Sequence, residues 1–290
     1  MNDALIQDVS DTAFMVATYR AMETERPDAL FRDPLAEKLA GARGRAIVAD
    51  APRRASFGRW FLSIRTCIID RFIESALAEG FDTVLNLGAG LDTRPYRMDL
   101  PKSLHWIEVD YPKIIDFKDQ CLAGETARCR LERVKLDLAD DGARREFLSG
   151  IAQDAAKVLI ITEGVVPYLT LEQAASLADD LHAHGAFRYW IIDYLSPEAR
   201  RYRQRMAKKL RMENAPFRFD PADYFQFFKE RGWQSKEICY IAEEAKKLNR
   251  RPEMPFFFSL WVKVSGLFAA KRKSFAKSAA YVLLEPTTAD

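Results

Sequence analysis

The sequence predicts a doubly wound α/β fold: a seven-stranded, mostly parallel sheet with flanking helices, an N-terminal helical cap and a helical insertion before the last strands. From Asp82 onward, short runs rich in β-branched residues alternate with longer helical patterns, as parallel strands joined by crossover helices require. The first run, Thr83 to Leu87, opens onto a turn with two glycines one residue apart, Gly88 and Gly90. Residues 1–80, in contrast, hold no run that reads as a strand.

Several helices are expected within residues 1–80, one of them opening at Arg32-Asp33-Pro34, where proline suits the first helical turn. Phe61, Ile64, Ile68, Ile69, Phe72 and Ile73 recur at helical spacing, and Arg65 falls inside that apolar stripe. An arginine facing a core needs an anion, and its planar fork suits a carboxylate best. The alternative is a side chain that snorkels at the stripe's edge.

Five strands are then expected, over residues 83–87, 105–110, 131–136, 158–162 and 189–193. Residues 197–231 read as a second helical insertion, rich in arginine and aromatic side chains, and runs at 236–241 and 280–284 close the sheet. The chain thus divides, within one domain, into a cap (1–80), a cofactor-binding core (81–195), a substrate-side insertion (196–255) and a sheet-closing end (256–290).

Composition narrows the classes of function. Of 290 residues, 48% are hydrophobic and 30% charged, which is enough apolar material for a large core. The 44 basic residues nearly balance the 42 acidic ones, so no net field gathers a polyanion, and nucleic acid is not the expected partner. Cys67, Cys121, Cys129 and Cys239 show no CxxC spacing, which argues against a zinc site or a disulfide framework and for a reducing, cytoplasmic setting. No basic leader opens the chain, and no stretch approaches the roughly 18 uncharged apolar residues of a membrane span. The nearest, 255–268, is interrupted by Lys263 and Gly266; it reads as buried structure, with a membrane or partner contact as the alternative.

The chemistry concentrates at the expected carboxyl ends of the strands, where ligands bind in doubly wound sheets. Gly88 and Gly90 let the backbone approach a ligand and adopt conformations closed to other residues. The third glycine of a dinucleotide fingerprint is missing, since Arg94 and its neighbours occupy that region, which argues against a pyrophosphate cradle. Asp110 ends the second strand where a ribose diol would lie, with a merely solvated strand end as the alternative. Asp137 and Leu138 follow the third strand, where an adenine ring would be met. Glu163 follows the apolar fourth strand and needs a cationic or hydrogen-bonding partner: a cofactor amino group, or an arginine of the scaffold. His105, His182 and His184 all fall at the opposite, amino-terminal edge, so neither a histidine base nor a metal site is expected.

With these segments in place, the sequence resembles the leucine carboxyl methyltransferase family, specifically its bacterial branch of O-methyltransferases. The likeness rests on Thr12-Ala13, Arg20-Ala21-Met22-Glu23, Arg32-Asp33-Pro34-Leu35-Ala36, Arg65-Thr66, the stretch from Asn86 to Arg94 (NLGAGLDTR), Glu108-Val109-Asp110, Glu163-Gly164 and Tyr168-Leu169. The resemblance implies the Rossmann-like fold of class I methyltransferases, strand order 3-2-1-4-5-7-6 with the last strand antiparallel, and S-adenosylmethionine as cofactor. Arg65 would then hold the methionine carboxylate, Gly88 would pass close to the cofactor with Gly90 in the same turn, and Asp110 would bind the ribose. Asp137 and Leu138 would flank adenine, Glu163 would lie near the methionine amino group, and Tyr168 would face the substrate. The expected reaction is methyl transfer to a carboxylate or hydroxyl of a small or medium metabolite, with a protein C-terminal carboxylate as the alternative acceptor. Rivals from other classes are a nicotinamide-dependent oxidoreductase and an inert cofactor-binding protein.

Overall fold

The computed structural model describes residues 9–50, 52–206, 216–251 and 276–287. Two strands buried along their whole length, β1 (Thr83–Leu87) and β4 (Val158–Thr162), lie side by side at the centre of the sheet. Such two-sided burial is what continuous apolar runs in parallel sheets produce. Around them lie β2 (His105–Asp110), β3 (Arg130–Lys135), β5 (Phe187–Leu195), β6 (Trp233–Tyr240) and β7 (Ala279–Pro286), in the order β3-β2-β1-β4-β5-β7-β6. β1 to β5 run parallel, and β7 is antiparallel to both of its neighbours. The expected order and seven-stranded class are therefore present, and the strand order reverses between β1 and β4, the switch point at which such sheets bind ligands.

Among the described residues, three helices precede the sheet: α1 (Val9–Thr24), α2 (Ala36–Ala49) and α3 (Pro52–Ala78). α1 and α2 touch at Gly44, where an added Cβ would overlap Thr18 Oγ1 and the Phe14 carbonyl. α2 starts at Ala36, later than the proline suggests, because Pro34 sits in the turn ahead of it and the Asp33 side chain faces inward to other partners. The α3 stripe is buried as its spacing requires: Ile64, Ile68, Ile69 and Ile73 are fully enclosed against Trp106, Leu159, Ile161, Ile191 and Leu283 of the sheet.

Further helices among the described residues are α4 (Arg94–Arg97), α5 (Pro112–Cys121), α6 (Asp141–Asp154), α7 (Leu171–His182), α8 (Pro197–Met206), α9 (Tyr224–Lys229) and α10 (Ile241–Lys247). Leu148 of α6, Leu177 and Leu181 of α7 and Phe228 of α9 cover the sheet face opposite α3. α7 begins with a capping box, in which the Thr170 hydroxyl accepts from the Gln173 amide and the Gln173 side chain returns the bond. No described helix is long and apolar enough to cross a membrane, and the apolar stretch 255–268 lies outside the described residues. All four cysteines are free thiols.

One buried charge cluster fixes the end of β2. Glu108 is fully enclosed and meets Lys118 of α5 at 2.8 Å and Arg133 of β3 at 2.9 Å. Removing one member of such a group leaves an uncompensated buried charge, at a cost of about 3–5 kcal/mol. The cluster locks α5 and β3 onto β2, two residues before Asp110.

Candidate cofactor site at the carboxyl edge

The turn after β1 demands glycine at two points. Gly88 and Gly90 have φ of +70° and +52°, in the left-handed region that side chains disfavour. A Cβ on Gly88 would also overlap Val165 Cγ2, so both conformation and space exclude one. The amides of Gly88 and Ala89 donate to the Val109 carbonyl at 2.8 and 3.0 Å, and the amide of Gly90 donates to Asp110 Oδ2 at 2.7 Å. The other Asp110 oxygen accepts from the amide of Tyr111 at 2.7 Å. Two backbone N–H groups therefore aim this half-buried carboxylate, and burial raises its pKa above the usual value in spite of them.

The residues after Gly90 are scaffold rather than phosphate cradle. Asp92 accepts from Asn86 Nδ2 at 3.0 Å, from the Arg94 amide at 3.1 Å and from the Arg94 guanidinium at 3.0 Å. The Thr93 hydroxyl donates to Asp33 at 2.6 Å, and Arg20 donates to both Asp33 and the Leu91 carbonyl. The helix that follows, α4, is four residues long. The loop thus has neither the third glycine nor the helix N-terminus with which a dinucleotide pyrophosphate is held.

Glu163 lies where β4 ends, between two guanidiniums: Arg65 of α3 at 2.6 Å and Arg94 at 2.7 Å. Burial alone would raise its carboxyl, but Arg65 and Arg94 hold it below the usual carboxylate range. Arg94 also donates to Asp70 at 2.7 Å, and Asp70 in turn holds Arg97 at 2.8 Å. Glu163 thus takes its scaffold-arginine alternative, and one of the two arginines is Arg65. Arg65 Nε is buried and finds no hydrogen-bond partner among the described residues. Gly164, with φ +71°, donates its amide to Asp193 Oδ2 at 2.8 Å, and the other Asp193 oxygen accepts from the Tyr281 hydroxyl.

Other residues singled out in the sequence lie along the same edge. Asp137, exposed just beyond β3, accepts from the Ala139 amide, and the carbonyl of half-buried Leu138 accepts from Arg144. The amide of Leu136 donates to the Asp110 carbonyl, which ties that loop to the end of β2. Tyr168 ends a 3-10 turn (Val166–Tyr168) after β4 and meets the Phe217 ring edge-on at 4.9 Å. The three histidines lie at the amino-terminal edge: His105 starts β2 beside Glu132, His182 packs on Trp233, and His184 packs on Phe187.

Sequence reasoning missed Asp92, Val165, Asp193 and Tyr281 as parts of this site. Asp193 carried a signal, since it is a carboxylate near the end of an apolar strand, as Glu163 is. Tyr281 carried none, because only the antiparallel return of β7 brings it opposite Asp193.

The family model for leucine carboxyl methyltransferase matches residues 13–182, more than half of the chain. A protein of Saccharopolyspora erythraea, named as a candidate S-adenosyl-L-methionine-dependent methyltransferase, is 34% identical over 192 residues, which are 63% of this chain and 67% of that protein. A similarly named Parafrankia protein is 38% identical over 182 residues, 60% of this chain and 58% of its own length. The matched regions thus span about three fifths to two thirds of these relatives. Among solved structures, a candidate methyltransferase of Thermobifida fusca superposes with a TM-score of 0.58 at 13% identity, covering 99% of this chain and 97% of its own. A DUF574-family protein of Streptomyces avermitilis gives 0.56 at 15% identity, covering 95% and 97%; both share the fold. The chain belongs to the leucine carboxyl methyltransferase family of S-adenosylmethionine-dependent enzymes.

Proposed function

We propose that the chain transfers the methyl group of S-adenosylmethionine to an oxygen, a carboxylate or hydroxyl, of a small or medium metabolite. The observation that carries this reading is the meeting of Arg65 and Glu163 at the switch point, with Val165, two residues beyond Glu163, against Gly88 of the turn whose Gly90 amide holds Asp110. A guanidinium beside a carboxylate can take the two ends of an amino-acid zwitterion, and the partnerless Arg65 Nε is a donor left over for that purpose. Asp110, already aimed by two amides, keeps lone pairs for a ribose diol, while Gly88 and Gly90 give the turn the left-handed conformation that presents the Gly90 amide to Asp110. Asp137 and Leu138 are the residues we assign to the adenine side.

When bound, S-adenosylmethionine supplies an electrophilic methyl on a sulfonium sulfur. The chain's own contribution is to hold donor and acceptor in line and to exclude water, which suits an apolar wall such as Tyr168 with Phe217. A carboxylate acceptor is already ionised at pH 7 and requires no base, in keeping with histidines placed at the far edge. A protein C-terminal carboxylate has the same chemistry and is the second reading. Incubating the protein with methyl-labelled cofactor and two acceptor panels, small carboxylic acids and phenols against leucine-terminated peptides, tests the choice. Label entering base-labile ester on a small acid is the expected result; label on the peptides alone would favour the second reading, and label on neither would refute the transferase reading for both.

Asp110→Ala should remove two hydrogen bonds to the ribose and weaken S-adenosylhomocysteine binding by roughly 1.5–3 kcal/mol, about ten- to a hundredfold. The raised pKa of Asp110 adds a pH signature. Its ionised form is the acceptor, so affinity is full above that pKa and is lost as pH falls through it, starting above the ordinary Asp value of about 3.9. Calorimetric titration of wild type and variant across pH should show this loss in wild type alone.

Arg65→Lys keeps the charge facing Glu163 but not the fork. The expected result is a dissociation constant for S-adenosylhomocysteine raised about tenfold, roughly 1.4 kcal/mol, with the apo melting temperature near that of wild type. Unchanged affinity in a folded variant would remove Arg65 from the cofactor site.

A further inference from the structure

Asp193 and Tyr281 face one another across the β5–β7 ladder, where they are register partners. They lie in the same strand alternation as Ile191 and Leu283, on the sheet face that α3 covers. Tyr281 is 2% exposed, and a phenol enclosed to that degree needs a hydrogen-bond partner. Its hydroxyl donates to one Asp193 oxygen, while the other oxygen accepts from the Gly164 amide at 2.8 Å. Arg65, paired with Glu163 at 2.6 Å, also lies within electrostatic reach of Tyr281 and Asp193.

These contacts form a chain. Arg65 holds Glu163; the next residue, Gly164, turns at φ +71° and donates to Asp193; and Asp193 accepts from Tyr281. Both members of the proposed zwitterion clamp thus depend on one pair of side chains, Glu163 by way of the neighbouring peptide and Arg65 by way of Glu163. A guanidinium whose partner is anchored has less rotamer freedom to lose when a ligand arrives. Burial raises the carboxyl of Asp193 despite the nearby Arg65 charge, so the pair remains dependent on its hydrogen bonds.

We propose that Asp193 and Tyr281 are positioning residues that set Arg65 and Glu163 for the amino-acid end of the cofactor, giving the antiparallel strand β7 a part in cofactor recognition. The proposal rests on the reading of this edge as the S-adenosylmethionine site. It differs from a role in core stability alone by its ligand dependence. A change in general stability weakens every ligand of the pocket, whereas loss of positioning weakens only those that carry the amino-acid group.

The test is calorimetric titration of wild type, Tyr281→Phe and Asp193→Asn with two ligands: S-adenosylhomocysteine, and 5′-methylthioadenosine, which has the nucleoside but no amino acid. For Tyr281→Phe the expected result is S-adenosylhomocysteine binding weakened about three- to tenfold, with methylthioadenosine within about twofold of wild type. Asp193→Asn should shift in the same direction, and it decides the matter if Tyr281→Phe loses its cooperative melt. Equal weakening of both ligands, or of neither, overturns the proposal. Wild type that binds neither ligand overturns the cofactor reading itself, and that outcome is visible before any variant is measured.

Discussion

The carboxylate of Glu163 is the contact on which the rest of the site depends. It receives Arg65 from the cap and Arg94 from the turn after β1, so one enclosed anion joins three segments distant in sequence. Arg94 extends the cluster to Asp92 and Asp70, and Asp70 extends it to Arg97. Buried pairs of this kind add little net stability over apolar packing, but breaking one side is costly. Glu163 is held in its ionised form by its partners. Its contribution is therefore present above the ordinary carboxylate range and is lost as pH falls through its depressed pKa.

The cap is tied to the same turn by polar contacts as well as by apolar packing. Arg20 reaches the Leu91 carbonyl and Asp33, and Asp33 accepts from Thr93. Ala13 of α1 lies where a Cβ on Gly90 would touch it at 3.4 Å. The helices before the sheet therefore set the shape of the glycine turn, and the cap motifs and the NLGAGLDTR stretch form one physical unit. Much of that stretch holds the loop together, through Asn86, Asp92, Thr93 and Arg94.

Much of this architecture was legible in the sequence because it is set by local periodicity. The fully buried β1 and β4 are continuous apolar runs, and β2 is bounded as its pattern suggests. Arg65 stood out because it broke an apolar helical stripe, a conflict that a buried anion resolves. Where tertiary contacts override local pattern, the reading failed. α2 starts at Ala36 because Asp33 is drawn inward to Arg20 and Thr93. β3 begins one residue before the expected run, and β5 extends to both sides of its own, since ladder pairing rather than composition sets their ends. The acidic partners of Arg94 and the phenol beside Asp193 come from elements far along the chain, and no spacing rule reports such meetings.

The proposed function requires the carboxyl edge to take a nucleoside bearing an amino acid, and the turn after β1 offers no cradle for a pyrophosphate. Calorimetric titration of the unmodified protein with S-adenosylhomocysteine and, separately, with NAD distinguishes the two ligands. Saturable one-site binding of S-adenosylhomocysteine and no heat of binding with NAD at the same concentrations is the expected result. Comparable affinity for the two, or binding of NAD alone, would contradict it.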